Sequence, residues 1–181
     1  MRLFIAINFN DATRAQLLGL RDELRSRSEH GRFSTPENLH LTLAFLGECD
    51  GKQTAAAKNA MSATHFESFD ISIERVGRFK RYGGEIWWAG VQMSKPLSDL
   101  HGALTDNLIA AGFTLEKRKF SPYITLGREV ETNTAPRQTP AFGETVESIE
   151  LMKSERINGK LTYTAIFSKE HDHDVPDFVR K

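Results

Sequence analysis

Two short motifs of the same form, far apart in the chain, place the strongest constraint on its fold. His40-Leu41-Thr42 opens one apolar run, and Tyr123-Ile124-Thr125 opens another. Alternate residues of an extended strand share a face, so each motif directs its first and third side chains to the same side. If the two strands face each other, an imidazole, a phenol and two hydroxyls surround one cleft.

The remaining hydrophobic pattern predicts helices and antiparallel strands in an irregular order. Predicted helices cover residues 11–28, 50–65 and 96–111, and predicted strands cover 3–9, 40–48, 69–79, 85–92, 124–130, 145–153 and 161–168. Residues 131–140 are polar, contain two prolines and are predicted to form a loop. Because no regular strand–helix–strand repeat is present, the order favours an α+β fold with one motif strand in each half of a pseudo-duplicated domain.

Composition limits the possible classes of protein. The 181 residues are enough for one domain with its own core, and the formal net charge of zero gives no general attraction for nucleic acid. The single cysteine, Cys49, excludes an internal disulfide and favours a reducing compartment, the cytoplasm. No apolar stretch is long enough to cross a bilayer. We expect one domain over residues 1–168, a charged tail over 169–181, and a monomer without membrane contact.

The paired motifs suit acid–base cleavage of a phosphoester without a metal ion or cofactor. An imidazole, with a reference pKa of about 6.5, can give or take a proton near neutral pH. A hydroxyl two residues further on can donate a hydrogen bond to a phosphoryl oxygen. In a symmetric site, two threonines hold the phosphate while one imidazole activates water and the other protonates the leaving oxygen. Here Tyr123 replaces the second imidazole.

The chain resembles the 2H phosphoesterase superfamily, specifically the RNA 2′,3′-cyclic phosphodiesterases, also called 2′-5′ RNA ligases. The resemblance rests on residues 1–7, 36–48, 87–91 and 120–128 and extends to about residue 168. It implies a bilobal α+β fold, with antiparallel sheets lining a central cleft and helices outside. It also implies that RNA ends or nucleotides with a cyclic phosphate are bound, and that the cyclic phosphate is hydrolysed to a 2′-phosphomonoester.

The resemblance also implies roles for five residues. His40 would donate a proton to the leaving 3′ oxygen, and Tyr123 holds the position of the histidine that activates water. Thr42 and Thr125 would bind the phosphate. Arg128 matches an arginine of the family and would neutralise phosphate charge, although strict strand alternation turns it away from Thr125.

The phenol at position 123 leaves alternatives open. With a reference pKa of about 10, a phenol is a poor base at pH 7. The enzyme is then slow, or another group acts as the base, or the cleft binds nucleotides or RNA ends with little turnover. A phosphodiesterase acting on another cyclic phosphoester is a further alternative.

Three other groups of residues are weaker candidates. Basic and aromatic side chains around a hairpin turn could contact RNA, namely Arg78, Lys80, Arg81 and Tyr82. His101 adjoins a leucine stripe and is interpreted as a packing residue. His171-Asp172-His173-Asp174 could chelate a metal weakly, but this segment is more typical of a solvated tail.

Overall fold

The computed structural model describes residues 1–116 and 118–173. In this part of the chain, nine strands, three α-helices and one 3₁₀ turn follow one another. Their bounds are β1 Arg2–Asn8, α1 Asp11–Ser26, β2 Ser28–Phe33, the 3₁₀ turn Pro36–Asn38, β3 His40–Glu48, α2 Gly51–Ser62, β4 Phe69–Phe79, β5 Glu85–Val91, α3 Lys95–Ala110, β6 Tyr123–Thr132, β7 Arg137–Val146, β8 Ser148–Ile157 and β9 Lys160–Glu170.

The strands form two antiparallel sheets, and each sheet contains one motif. The first sheet has the order β3-β1-β8-β9, and the second has the order β2-β6-β5-β4-β7. Neighbouring strands run antiparallel throughout both sheets. The first motif begins β3 and the second begins β6. The predicted α+β class, with antiparallel sheets and one motif strand in each, is confirmed.

The core lies between the sheets and the helices that cover them. The leucine stripe of α3 is fully buried, as its spacing predicts. The N-terminus of α3 is capped by Ser94, and the chain leaves the helix through Gly112 at a positive φ of 99°. None of the helices in the described residues is long and apolar enough to cross a membrane. Because one face of each sheet is committed to this core, polar motif side chains are left for the opposite face.

Two strands were not expected from the sequence, and both lie at edges of the second sheet. β7 begins at Arg137, inside the region predicted to be a loop, contains Pro140 and pairs with β4 alone. An edge strand tolerates proline because one row of its backbone groups needs no partner. β2, at the other edge, is largely exposed and lacks an alternating apolar pattern. Strands without an alternation of apolar and polar residues cannot be predicted from the hydrophobic pattern of the sequence.

The C-terminal strand extends slightly further than expected. β9 continues through Glu170, so the first residues assigned to the tail belong to the first sheet. Asp172 then accepts a hydrogen bond from the Phe66 backbone N–H at 3.0 Å, and its own N–H donates to the Phe66 carbonyl at 2.8 Å. The rest of the predicted tail, residues 174–181, lies outside the described residues.

Gly143 is a position at which β7 and β4 approach too closely for a side chain. A Cβ atom there would overlap the Ile71 carbonyl. We expect Gly143→Ala to lower the free energy of unfolding by about 1–3 kcal/mol, because the strands must separate. The matched control is Gly102→Ala in α3, where a Cβ atom meets nothing within 4 Å and helix propensity should add about 1 kcal/mol. Urea unfolding of both variants measures the difference, and equal midpoints would contradict the close approach.

Candidate active site

The first motif lies on an edge strand of the first sheet. In β3, Leu41 and Leu43 are buried in the core, whereas His40 and Thr42 are half-buried on the opposite face. This is the alternation that the sequence predicts. His40 lies opposite Asn8, the last residue of β1, in the strand register.

The second motif lies on β6 of the second sheet and repeats this arrangement. Ile124 is fully buried, whereas Tyr123 and Thr125 are half-buried on the other face. Their register partners on β5 are Gly90 for Tyr123 and Trp88 for Thr125. The two motifs therefore present an imidazole, a phenol and two hydroxyls on the faces of the two sheets that point away from the main core.

A short connection brings the two motif strands together. The Ser34 N–H donates to the Leu126 carbonyl at 2.9 Å, and the Ser34 hydroxyl donates to the Thr125 carbonyl at 2.7 Å. The chain then passes through the 3₁₀ turn directly into His40. β3 and β6 are in contact. The residues preceding the first motif are thus fixed to the backbone of the second.

Arg128 faces the motif side of β6, and the expectation that alternation turns it away from Thr125 is wrong. On β5, Trp87 lies opposite Gly127, and the next residue, Trp88, lies opposite Thr125. Leu126 therefore has no partner on β5 and is an extra residue on β6. Such a bulge shifts the alternation by one position. Arg128 is consequently exposed on the motif side, and its positive charge acts on both His40 and Tyr163.

Aromatic rings enclose the His40 imidazole. Its centroid lies 4.8 Å from the Phe4 ring and 5.2 Å from the Tyr163 ring. The pKa of His40 is lowered to about 4, chiefly by burial and to a smaller extent by the Arg128 charge, while a hydrogen bond with the Asn38 backbone opposes the shift. Burial raises the pKa of Tyr163, while the charges of Arg128 and Arg2 oppose that shift. At neutral pH the imidazole is therefore neutral and the Tyr163 phenol is protonated.

The Tyr123 ring belongs to a second aromatic cluster. It meets Phe79 edge-on at 5.1 Å and lies 6.2 Å from Trp88. The Arg75 guanidinium stacks 5.3 Å above the Trp88 ring, and Arg81 lies 5.4 Å from the Phe79 ring. The phenol is thus held in place by aromatic packing, with two cations on the same surface.

The sequence patterns did not identify the residues of these two aromatic clusters as neighbours of the site. Phe4 and Tyr163 approach His40 from β1 and β9. Trp88 of β5 approaches Tyr123, and Arg75 of β4 lies over Trp88. Their positions depend on sheet order, which local patterns do not contain.

The predicted RNA-contacting cluster at the hairpin is divided by the structure. Arg78 pairs with Glu85 at 3.2 Å and lies 5.7 Å from the buried Trp87 ring, so it supports the core. Lys80, Arg81 and Tyr82 remain exposed at the turn. Only this outer part of the cluster is free to meet a ligand.

The other histidine candidates have structural contacts. His101 stacks on Phe120 with centroids 3.8 Å apart, as expected for a packing residue, and burial lowers its pKa. Asp172 pairs with Lys169 at 3.0 Å and with His65 at 3.2 Å. Asp174 lies outside the described residues. Across residues 1–116 and 118–173, no group of three or more His, Cys, Asp or Glu side chains could hold a metal ion.

Comparison with known proteins places these motifs in context. A family described as LigT-like phosphoesterase matches residues 7–88. An RNA 2′,3′-cyclic phosphodiesterase of Thermotoga maritima is 35% identical over 131 residues, covering 71% of this chain and 70% of the relative. One of Archaeoglobus fulgidus is 34% identical, covering 80% and 85%. The crystal structure of Escherichia coli LigT complexed with 3′-AMP superposes with a TM-score of 0.83 at 25% identity, covering 95% of this chain and 98% of that one.

Proposed function

Because the chain belongs to the LigT-like phosphoesterases, the family of the RNA 2′,3′-cyclic phosphodiesterases, we propose that it hydrolyses the 2′,3′-cyclic phosphate of an RNA end to a 2′-phosphomonoester. The observation that carries this proposal is the pairing of His40 and Thr42 on one sheet with Tyr123 and Thr125 on the other. Each residue of this site comes from one chain, so we propose that the monomer is active, without metal or cofactor.

Three residues would bind the phosphate. The hydroxyls of Thr42 and Thr125 lie on the faces of β3 and β6 that point away from the main core, and these two strands are in contact. From there they can donate hydrogen bonds to the two non-bridging oxygens of the phosphate. Arg128 faces the same region and would neutralise the negative charge of the phosphate. These contacts would hold the phosphorus atom between His40 and Tyr123.

The protonation states of the two remaining groups favour proton-transfer roles that differ from those implied by the resemblance. With a pKa of about 4, about one His40 in 10³ is protonated at pH 7. A neutral phenol is a poor proton acceptor at this pH. A donating His40 would therefore need the disfavoured imidazolium, whereas an accepting His40 uses the imidazole in the form that predominates. We propose that His40 accepts the proton of the attacking water and that Tyr123 donates to the leaving oxygen.

This assignment fixes the direction of attack. Water enters from the His40 side, the new P–O bond forms there, and the P–O bond on the Tyr123 side breaks. The leaving alkoxide receives the phenolic proton, His40 then releases the proton it took to solvent, and the Tyr123 phenolate takes one proton back from solvent. A 2′-phosphomonoester product therefore requires the ribose to place its 3′ oxygen beside Tyr123.

Hydrolysis of adenosine 2′,3′-cyclic monophosphate tests the proposed function. We expect purified protein in EDTA to convert it to 2′-AMP, separated from 3′-AMP by chromatography. The matched variant is Thr125→Val, which keeps the strand and removes the hydroxyl, and should raise KM. Tight binding without turnover, with activity gained in Tyr123→His, would instead support a protein that binds nucleotides or RNA ends.

A further inference from the structure

A cavity opens beside the second motif, on the same face of the second sheet. Its volume is about 410 Å³. Three segments line it: the middle of β4, the end of β5 with the residues that follow, and the segment that leads into β6. The residues that line it include Glu74, Arg75, Gln92, Met93, Lys119 and Phe120. None of them has a place in the proton-transfer site.

A β-bulge aims Arg75 at this region. Ile73 and Arg75 pair with the adjacent β5 residues Val91 and Gly90, which makes Glu74 an extra residue on β4 relative to β5. Bulges redirect side chains and are frequent next to active sites. After the bulge, Arg75 lies opposite Gly90, the register partner of Tyr123.

Two glycines leave room for Arg75 and Trp88 on this face of the sheet. A Cβ atom at Gly90 would approach the Arg75 Nε atom to 2.8 Å, and one at Gly77 would overlap the Trp88 indole. The guanidinium can therefore stack on Trp88, whose register partner is Thr125. β4 and β6 are separated by two strand spacings, about 10 Å. A planar cation thus extends from a strand that lies two positions away from the strand of Thr125, the residue proposed to bind the reacting phosphate.

The two cations at this cavity, Arg75 and Lys119, are exposed. Arg78 and Arg137, also on the second sheet, pair with Glu85 and Glu23. Within the described residues, by contrast, neither Arg75 nor Lys119 forms an ion pair. An anionic ligand would give both cations an ion-pair partner. Arginine is well suited to this because its guanidinium can bind a phosphodiester through two N–H groups while its plane stacks.

The remainder of the cavity is suited to a base. Met93 and Phe120 supply apolar surface, and His101 supports Phe120 from behind by stacking on it. The Glu74 carboxylate is oriented by a hydrogen bond from the Ser72 hydroxyl at 3.0 Å. A carboxylate repels a phosphate but accepts a hydrogen bond from an exocyclic amino group, such as N4 of cytosine.

We propose that this cavity binds the penultimate nucleotide of the RNA, with its phosphodiester on Arg75 and Lys119 and its base beside Met93, Phe120 and Glu74. This inference rests on the proposed function, because it assigns the neighbouring nucleotide of the same substrate. It makes the enzyme selective for oligonucleotide ends over free cyclic mononucleotides. It also favours cytidine over uridine at the penultimate position.

The test compares adenosine 2′,3′-cyclic monophosphate with the dinucleotides CpA and UpA ending in the same cyclic phosphate. We expect kcat/KM to be about tenfold or more higher for the CpA substrate than for the mononucleotide, the scale of one charge-assisted hydrogen bond. Arg75→Gln and Lys119→Gln should each reduce this ratio while changing kcat/KM for the mononucleotide by less than about threefold. Arg156→Gln, an exposed arginine on β8, is the matched control and should leave the ratio unchanged.

The possible outcomes separate this inference from the proposed function. Equal kcat/KM for mononucleotide and dinucleotides in an active enzyme would overturn the cavity assignment and leave the proposed function intact. A wild-type protein that hydrolyses none of the substrates would overturn the proposed function. The cavity assignment is then decided by titration calorimetry with 2′-AMP and with the CpA dinucleotide 2′-phosphate. Tighter binding of the dinucleotide that is lost in Arg75→Gln supports it, and equal affinities refute it.

Discussion

Replacing His40 by phenylalanine is expected to lower kcat for hydrolysis of a 2′,3′-cyclic nucleotide by about 10²–10⁴-fold, the contribution of one proton-transfer group. Phenylalanine keeps a ring between Phe4 and Tyr163, which lie 4.8 and 5.2 Å from the imidazole, but has no nitrogen to accept a proton. Because the threonines and Arg128 still hold the phosphate, KM should change much less than kcat. Steady-state kinetics at pH 7 measures both.

Two controls accompany this variant. His30→Phe removes an exposed histidine from β2 and should leave kcat unchanged, which excludes a general effect of losing an imidazole. The second control compares the pH dependence of the stability of His40→Phe with that of the wild type. In the wild type the pKa of His40 is lower when folded than when unfolded, so the imidazole stabilises the fold above pH 6.5 and this contribution is lost as the pH falls towards 4.

The variant should therefore lose less stability than the wild type between pH 6.5 and 4, measured by urea unfolding. A wild-type kcat in His40→Phe would refute a proton-transfer role for His40. Equal acid sensitivity of the two proteins would instead show that the aromatic enclosure does not hold the imidazole in its neutral form.

The elements that carry the motifs could be predicted from the sequence because their signals are local. In β3 and β6, buried leucine and isoleucine alternate with polar residues, so the faces of His40, Thr42 and Thr125 follow from a period of two residues. The leucine stripe and Ser94 cap of α3 are also local. The hairpin turn between β8 and β9 follows from Asn158-Gly159, at which both residues have positive φ.

Features determined by sheet order could not be predicted in the same way. β7, with Pro140, becomes a strand because β4 offers it an edge. Arg128 changes sides because the pairing with β5 accommodates an extra residue on β6. The pKa of His40 depends on rings contributed by β1 and β9, from the two ends of the chain. Local patterns identify the reacting groups, whereas their protonation state depends on contacts that form only in the folded protein.

Replacing Tyr123 by phenylalanine is expected to lower kcat by about 10²–10⁴-fold, because the leaving oxygen loses its proton donor. The ring contacts with Phe79 and Trp88, at 5.1 and 6.2 Å, are retained. The fold should therefore be preserved, which the melting temperature checks. A variant as active as the wild type would contradict a proton-transfer role for Tyr123 and would support another group in that position.

The residual activity of Tyr123→Phe also decides the direction of proton transfer. In the wild type, a neutral His40 with a protonated phenol and a protonated His40 with a phenolate contain the same number of protons. Their rates therefore vary with pH in the same way, and the wild-type profile cannot distinguish them. In the variant only His40 titrates, so the sign of its effect becomes visible.

If His40 accepts the proton of water, kcat/KM of Tyr123→Phe rises tenfold per pH unit up to the His40 pKa of about 4 and is constant from pH 5 to 8. If His40 donates a proton to the leaving oxygen while a neutral water molecule attacks, kcat/KM falls tenfold for each unit over that range. The difference reaches about 10³-fold across pH 5–8, and the folded protein can be assayed throughout. We expect the constant profile, because the aromatic enclosure and the charge of Arg128 both disfavour the imidazolium.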